Sequence, residues 1–385
     1  MTVKTQIDEA DRLRIAQLRE LTAEDLKGND YYNTEFNILR WLQGHRDCSI
    51  EEVAKKLSAH LKMRKSCWKL DDLVRKPRNH PIHKHWKYGI TKESKMLRNV
   101  VVNSGENDYK GMLATWSIQE VMLARAQDLE DMLAEVMSLE MKTGQQASIL
   151  YVMDLTNLVY DKKLIGLVTG AMRSLAEFMS THYVELIKYF VLVNVPSYVY
   201  AMWTLVKPLL PERTRQKVRI LSSSNWREEI LEFSCPEALP ERWNDEEHTS
   251  FSHPLELPVP YPVEQYYKNR NLHVGDVETL RLAAGKTIVL HRELKAGDRF
   301  SWWIHANCEF GFGFFFHEDR GEEDISKMDV VYPQFEWMPH SEVPLDTGVV
   351  VEKSGLYRIW FSNYRAWWHT ANIQHRFTVT SGNTE

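Results

Sequence analysis

Hydrophobic positions along this chain change their period three times. Through residue 75 they recur at helical spacing among many charges. Glu35–Gln43 (EFNILRWLQ) sets Phe36, Leu39 and Leu42 three apart, with Trp41 beside them. Ile50–Trp68 continues with Val53, Leu57, Leu61 and Arg64, and Ser49 before it is a residue type that caps helix N-termini. A small helical packing unit is predicted over residues 1–75. From 76 to 245 the pattern is mixed. Leu97–Asn103 is a β-branched run, Ser148–Leu155 (SILYVMDL) and Ile187–Val195 are near-continuous apolar runs, and Val218–Leu221 is a shorter one. Between them lie the amphipathic stretches Trp116–Lys142 and Leu164–His182. Apolar strands separated by helices predict a mostly parallel sheet covered by helices.

Residues 246–274 start acidic and then carry Pro254, Pro258, Pro260 and Pro262, the composition of an extended, semi-rigid linker. From 275 to 385 short strands alternate with glycine-marked turns: Thr287–Leu294, Arg299–His305, Gly311–His317, Gly348–Glu352, Gly355–Ser362 and Ile373–Thr380. That rhythm predicts a β-sandwich. The expected fold class is multidomain, α/β plus all-β, which suits 385 residues.

Tyr189–Leu210 approaches membrane-spanning length, but Asn194, Pro196, Ser197, Lys207 and Pro208 interrupt it. It reads as a buried strand, a Pro-marked turn and a short, very apolar helix. Ser197–Leu210 (SYVYAMWTLVKPLL) has almost no polar face. Such a helix is core or touches something greasy, and periodicity alone favours core.

Charge and chemistry narrow the function. A net charge of −5 and a pI near 6.3 supply no global basic field for nucleic acid. Cys48, Cys67, Cys235 and Cys308 form no C-x-x-C pair, which suits reduced thiols in the cytosol. The charged N-terminus lacks the apolar run of a signal peptide. No phosphate loop, dinucleotide glycine fingerprint, nucleophile elbow or H-E-x-x-H motif occurs, so no cofactor, catalytic residue or metal is expected. Two weaker candidates remain. His80, His83 and His85 (HPIHKH) could bind zinc or form a solvated basic loop. Asp154 ends an apolar strand, where an enzyme places an acid but a turn places a cap.

Longer motifs carry a resemblance. HYVELIKYFVLVNVPSYVYAMWTLVKPLLPERTRQKVRIL keeps the order Y-x-E, apolar strand, N-x-P, apolar helix, K-P-x-L, T-x-x-K-[IV]. FNILRWLQGHRDCSIEEVAKKLSAHLKMRKS resembles an arginine-bearing leader helix followed by an H-x-x-x-R-K helix, and FGFGFFFHED and YRIWFSNYRAWWHTANIQHRFTV resemble GOLD strands. The chain thus resembles the CRAL-TRIO lipid-binding family, and within it the supernatant protein factor and tocopherol-associated proteins, which append a C-terminal GOLD domain. The sequence departs from the family in Tyr183-Val184-Glu185, which lacks the usual proline, and after Leu239-Pro240, where a glycine pair is missing.

The resemblance implies a protein, not an enzyme, that binds a hydrophobic lipid such as phosphatidylinositol, tocopherol or an isoprenoid in a gated pocket. It would exchange or present that lipid at membranes, from the cytoplasm and with transient peripheral contact, the Golgi included. Headgroup contacts would fall to Glu185, Lys217, Thr214 and Arg46, and the gate to Val199, Met202, Trp203 and Val206. The alternative is a lipid-sensing adaptor that docks a protein partner through the GOLD domain. A hydrolase built on Asp154 or the histidines is a third class.

Overall fold

Helix ends form where the sequence supplies caps. The computed structural model describes residues 6–74, 76, 78–160, 166, 168–210, 212–270 and 275–382. Helix α1 (Glu9–Leu21) is capped by Asp8, and α2 (Glu35–Gly44) by Thr34, whose hydroxyl accepts the Asn37 amide at 3.2 Å. Helix α3 (Ile50–Lys65) opens with a reciprocal box: the Glu52 amide donates to Ser49 Oγ, and the Ser49 amide to the Glu52 carboxylate. Arg40 of α2 is buried beside Trp41 and Leu42, forms an ion pair with Glu140 of α4 (Ile118–Thr143), and donates to the Ala147 carbonyl at 2.9 Å.

Packing divides the chain into two compact units. One holds Met1–Leu57, Lys76–Tyr109 and Ala124–Tyr261; the other holds Ser58–Arg75, Lys110–Leu123 and Pro262–Glu385.

The first unit is built on a five-stranded sheet in the order β1 (Tyr88–Ser94), β2 (Leu97–Val102), β3 (Ser148–Asp154), β4 (Ile187–Val193), β5 (Val218–Ile220). β1 is antiparallel to β2, and the remaining pairs are parallel. Parallel strands in sequential order are joined as a rule by right-handed crossovers, and that rule puts the connecting helices on one face. These are α4, then a π-helical turn over Val168–Met172 running into α5 (Arg173–His182), then α6 (Ser197–Val206) and α7 (Glu212–Lys217). Leu164, Ile165 and Leu167, expected in the second crossover, lie outside the described residues.

Strand period assigns the two sheet faces. Leu97, Val101, Leu150, Val152, Val191 and Val193 pack on Trp226, Ile230, Leu239, Trp243 and Phe251. The proline-rich stretch therefore contributes Phe251 to this core, and its Tyr261 stacks on His85 with centroids 3.9 Å apart. The crossover face carries two cross-strand rows, Tyr151–Phe190–Val218 and Met153–Leu192–Ile220. Tyr151 is buried, whereas Met153, Phe190, Leu192, Val218 and Ile220 are only half-buried.

The second unit contains two antiparallel four-stranded sheets. One runs β10 (Asp329–Met338), β9 (Phe310–Phe316), β12 (Gly355–Ser362), β7 (Thr287–Leu294); the other runs β11 (Leu345–Val350), β8 (Arg299–Ala306), β13 (Ala371–Thr380), β6 (Glu278–Leu282). Rings on β8 and β9 join them: Phe300 meets Phe314 at 4.9 Å and Trp302 meets Phe312 at 5.4 Å. A Cβ at Gly311 would come within 2.9 Å of the Trp360 ring, so glycine leaves that indole its place.

Candidate functional site

The turn out of β4 sets the geometry. Asn194 adopts φ +52, a left-handed conformation that asparagine tolerates, and Pro196 precedes α6. Asn194 Nδ2 donates to Asp154 Oδ1 at 2.9 Å, and the same oxygen accepts the Thr156 amide. Asp154 Oδ2 accepts Trp243 Nε1 at 2.8 Å and faces Arg242 at 3.4 Å. Asp154 is thus a buried hub that ties the ends of β3 and β4 to the core, with both oxygens engaged in structure. The histidines also turn to separate partners. His80 Nδ1 accepts the Ile82 amide, His83 Nε2 lies 3.3 Å from Asp128, and His85 bonds the Val259 carbonyl.

Helix α6 is made almost wholly of apolar residues, yet none of them is buried. Val199, Met202, Trp203 and Val206 stand at i, i+3, i+4 and i+7, one face of a helix, and all four are half-buried. On the other side Tyr200 and Leu205 are 40% and 68% exposed. The core position that periodicity favours is not found, since no residue of the helix is buried. Two tyrosine hydroxyls tether it. Tyr198 donates to the Leu158 carbonyl at 2.7 Å, just past β3, and Tyr200 to the Leu221 carbonyl at 3.0 Å, just past β5.

At the opposite edge, Glu185 stands two residues before β4 and Lys217 immediately before β5. Parallel neighbours bring their starts together, and Lys217 Nζ lies 3.2 Å from Glu185 Oε2. Glu185 has φ +54, a conformation that glycine and asparagine adopt more easily. Thr214 lies one turn before Lys217 on α7 and is half-buried. Arg46 is carried by the exposed turn between α2 and α3.

The half-buried floor, Met153, Phe190, Leu192, Val218 and Ile220, was not singled out by the sequence reading. The signal was present as alternate positions of apolar strands, but periodicity does not say which face is filled. At the deep end of this face, the buried Arg125 guanidinium lies 5.1 Å over the Tyr151 ring, and burial pushes the Tyr151 phenol up to about 12.

With this geometry in hand, comparison with known proteins is specific. Residues 85–244 match the CRAL/TRIO domain family. Residues 264–385 match the family described as F28H7_8_C:-like, C-terminal domain, and residues 7–73 match a domain of unknown function, DUF8435. The CRAL-TRIO domain-containing protein F28H7.8 of Caenorhabditis elegans is 31% identical over 223 residues, 55% of this chain and 53% of that protein. Patellin-6 of Arabidopsis thaliana is 27% identical over 153 residues, 40% of this chain and 33% of that protein. The chain therefore spans about half of the first relative and a third of the second. Among solved structures, Sfh5 is similar with a TM-score of 0.47 and 15% identity, covering 66% of this chain and 96% of Sfh5. The stretch that matches the CRAL/TRIO family includes the five-stranded sheet, α6 and the Glu185–Lys217 pair. Among the described residues no helix is long and apolar enough to cross a membrane.

Proposed function

We propose that the CRAL/TRIO domain holds one hydrophobic lipid between its crossover sheet face and α6, and that the protein exchanges or presents that lipid at membranes. The observation that carries this reading is the state of α6: an almost wholly apolar helix with no buried residue, which crossover handedness assigns to the face with two rows of half-buried apolar side chains. Left to water, those surfaces are a standing cost; a lipid acyl or isoprenoid chain removes it. A two-chain lipid has roughly 30 methylenes at about 0.8 kcal/mol each, so exposing one in transit would cost on the order of 20 kcal/mol. A carrier must match the bilayer almost fully and open only at a membrane. Val199, Met202, Trp203 and Val206 would close over the chains, while the exposed Tyr200 and Leu205 would meet the bilayer surface.

In this reading the ligand is phosphatidylinositol, tocopherol or an isoprenoid, and the Glu185–Lys217 edge takes its polar end. A phosphate would draw the Lys217 ammonium as a point charge, Glu185 would accept hydroxyl hydrogen bonds, and Thr214 and Arg46 would complete the contacts. No bond is made or broken, so the work is binding and release. Residues 1–75 would act as a helical leader, 76–245 as the lipid-binding domain, 246–274 as a linker and 275–385 as a GOLD-like sandwich. The setting would be the cytoplasm with transient membrane contact, the Golgi among the membranes visited. Native mass spectrometry of the protein after incubation with vesicles containing phosphatidylinositol, tocopherol or squalene tests the proposal. One bound lipid per chain is expected; protein that stays bare with all three would overturn it.

A further inference from the structure

The second unit carries its own anomaly. Most large rings of its two sheets are buried, yet on the loop 363–370 between β12 and β13 Trp367 and Trp368 are 89% and 87% exposed, and Tyr364 is 73% exposed. The loop is built to present them. Asn363 Nδ2 donates to the Leu282 and His369 carbonyls, its amide donates to the Lys286 carbonyl at 2.8 Å, and the Ala366 amide closes a turn onto the Asn363 carbonyl. Arg365 lies 3.3 Å from Glu336, and His369 lies 3.9 Å from Glu309.

We propose that this loop is a membrane-interface anchor, in which Trp367, Trp368 and Tyr364 enter the headgroup region of a bilayer. Indole and phenol rings have an apolar body and a polar edge, which suits them to that layer. The exposed Lys286 on the adjoining turn and the exposed Arg281, paired in register with Asn372 just past the loop, add cations that an anionic leaflet attracts. A protein partner is less well matched. Three rings on one loop offer roughly 600 Å², short of the roughly 800 Å² per side that a stable protein interface buries. A bilayer needs no complementary partner surface, and binding to it grows with buried apolar area and with attraction to anionic lipids. The inference stands apart from the lipid pocket, since it uses no residue of the first unit.

The test is co-sedimentation of the full chain with vesicles of phosphatidylcholine mixed with phosphatidylserine, comparing wild type with Trp367→Ala/Trp368→Ala. The variant is expected to bind about tenfold more weakly or worse, while its melting transition and its lipid loading by native mass spectrometry are unchanged. Brominated lipids give a second readout: they should quench the tryptophan emission of wild type more than that of Trp367→Ala/Trp368→Ala, a difference to which Trp203, present in both, does not contribute. Equal vesicle binding by the two proteins, or a wild type that neither sediments nor is quenched, overturns the proposal and leaves the loop to a protein partner.

Discussion

The Lys217 ammonium lies 3.2 Å from the Glu185 carboxylate, with the two side chains 20% and 28% exposed. A pair this open to water is worth about 0–1 kcal/mol to stability. It is well placed, however, to exchange its internal partner for an anionic ligand. Lys217→Ala should therefore change the urea unfolding free energy by less than about 1 kcal/mol and lower phosphatidylinositol loading by about tenfold, a difference of ~1.4 kcal/mol in binding. Loading from vesicles, read beside the denaturation curve, checks both. Unchanged loading would remove the headgroup assignment.

The two sides of α6 should separate binding from delivery. Met202 belongs to the half-buried stripe and Leu205 to the exposed side. Met202→Glu places a carboxylate where acyl chains would lie and should abolish lipid loading. Leu205→Glu should leave loading intact and slow transfer between vesicles by about tenfold, because it charges the face that meets the bilayer. Equal effects of the two substitutions on loading would contradict a helix with distinct inner and outer faces.

Asp154 should matter to stability more than to chemistry. Removing its carboxylate leaves Trp243 Nε1, Asn194 Nδ2 and the Thr156 amide without their acceptor. Asp154→Ala should destabilise the fold by about 2–4 kcal/mol, with Asp154→Asn milder because one oxygen remains. Thermal or denaturant unfolding measures this, and a loss below 1 kcal/mol, roughly one ordinary hydrogen bond, would show that the hub is dispensable.

How much of this was legible before the structure differs by element. The central strands β3 and β4 announce themselves because they are apolar on both faces. β1 does not, being an edge strand with exposed Lys92 and Glu93 and an irregular register between Ile90 and Glu93. β10 hides for a similar reason: Pro333 and Gln334 sit inside it, and its pairing with β9 shifts register three times. The composition of α6 was readable, but its half-open placement was not, because hydropathy does not report how a helix is set against its sheet. The floor residues Phe190 and Leu192 were unreadable because their strand is equally apolar at Val191 and Val193, which fill the other face. Glu185 and Lys217 are 32 positions apart in sequence, and only motif order paired them. In so aromatic a unit Trp367 and Trp368 stand out beside Arg365 and His369 as candidates for a protein or membrane contact, but sequence does not show that they are exposed.

Acid should weaken the first unit in a defined window. Burial, then the neighbouring His83, lowers the His80 pKa to about 4 from its ordinary 6.5, against the opposing pull of Asp128. Its Nδ1 accepts the Ile82 amide, a bond that suits the neutral ring. Between 6.5 and 4 the unfolded chain binds a proton that the folded chain refuses. The contribution of His80 is thus full above 6.5 and is lost as pH falls toward 4. Melting temperatures measured across that range should fall less steeply in His80→Gln than in wild type; parallel curves would show that His80 is not responsible.

The central claim is a lipid lying between α6 and the crossover face of the sheet, and position is its most direct test. A phosphatidylinositol with a photoactivatable group in one acyl chain, loaded from vesicles and irradiated, will mark its neighbours, and peptide mass spectrometry will locate them. Adducts on Met153, Phe190, Leu192 or Ile220 of the floor and on Met202, Trp203 or Val206 of the helix are the predicted result. Efficient loading with labels confined to other surfaces would contradict the account.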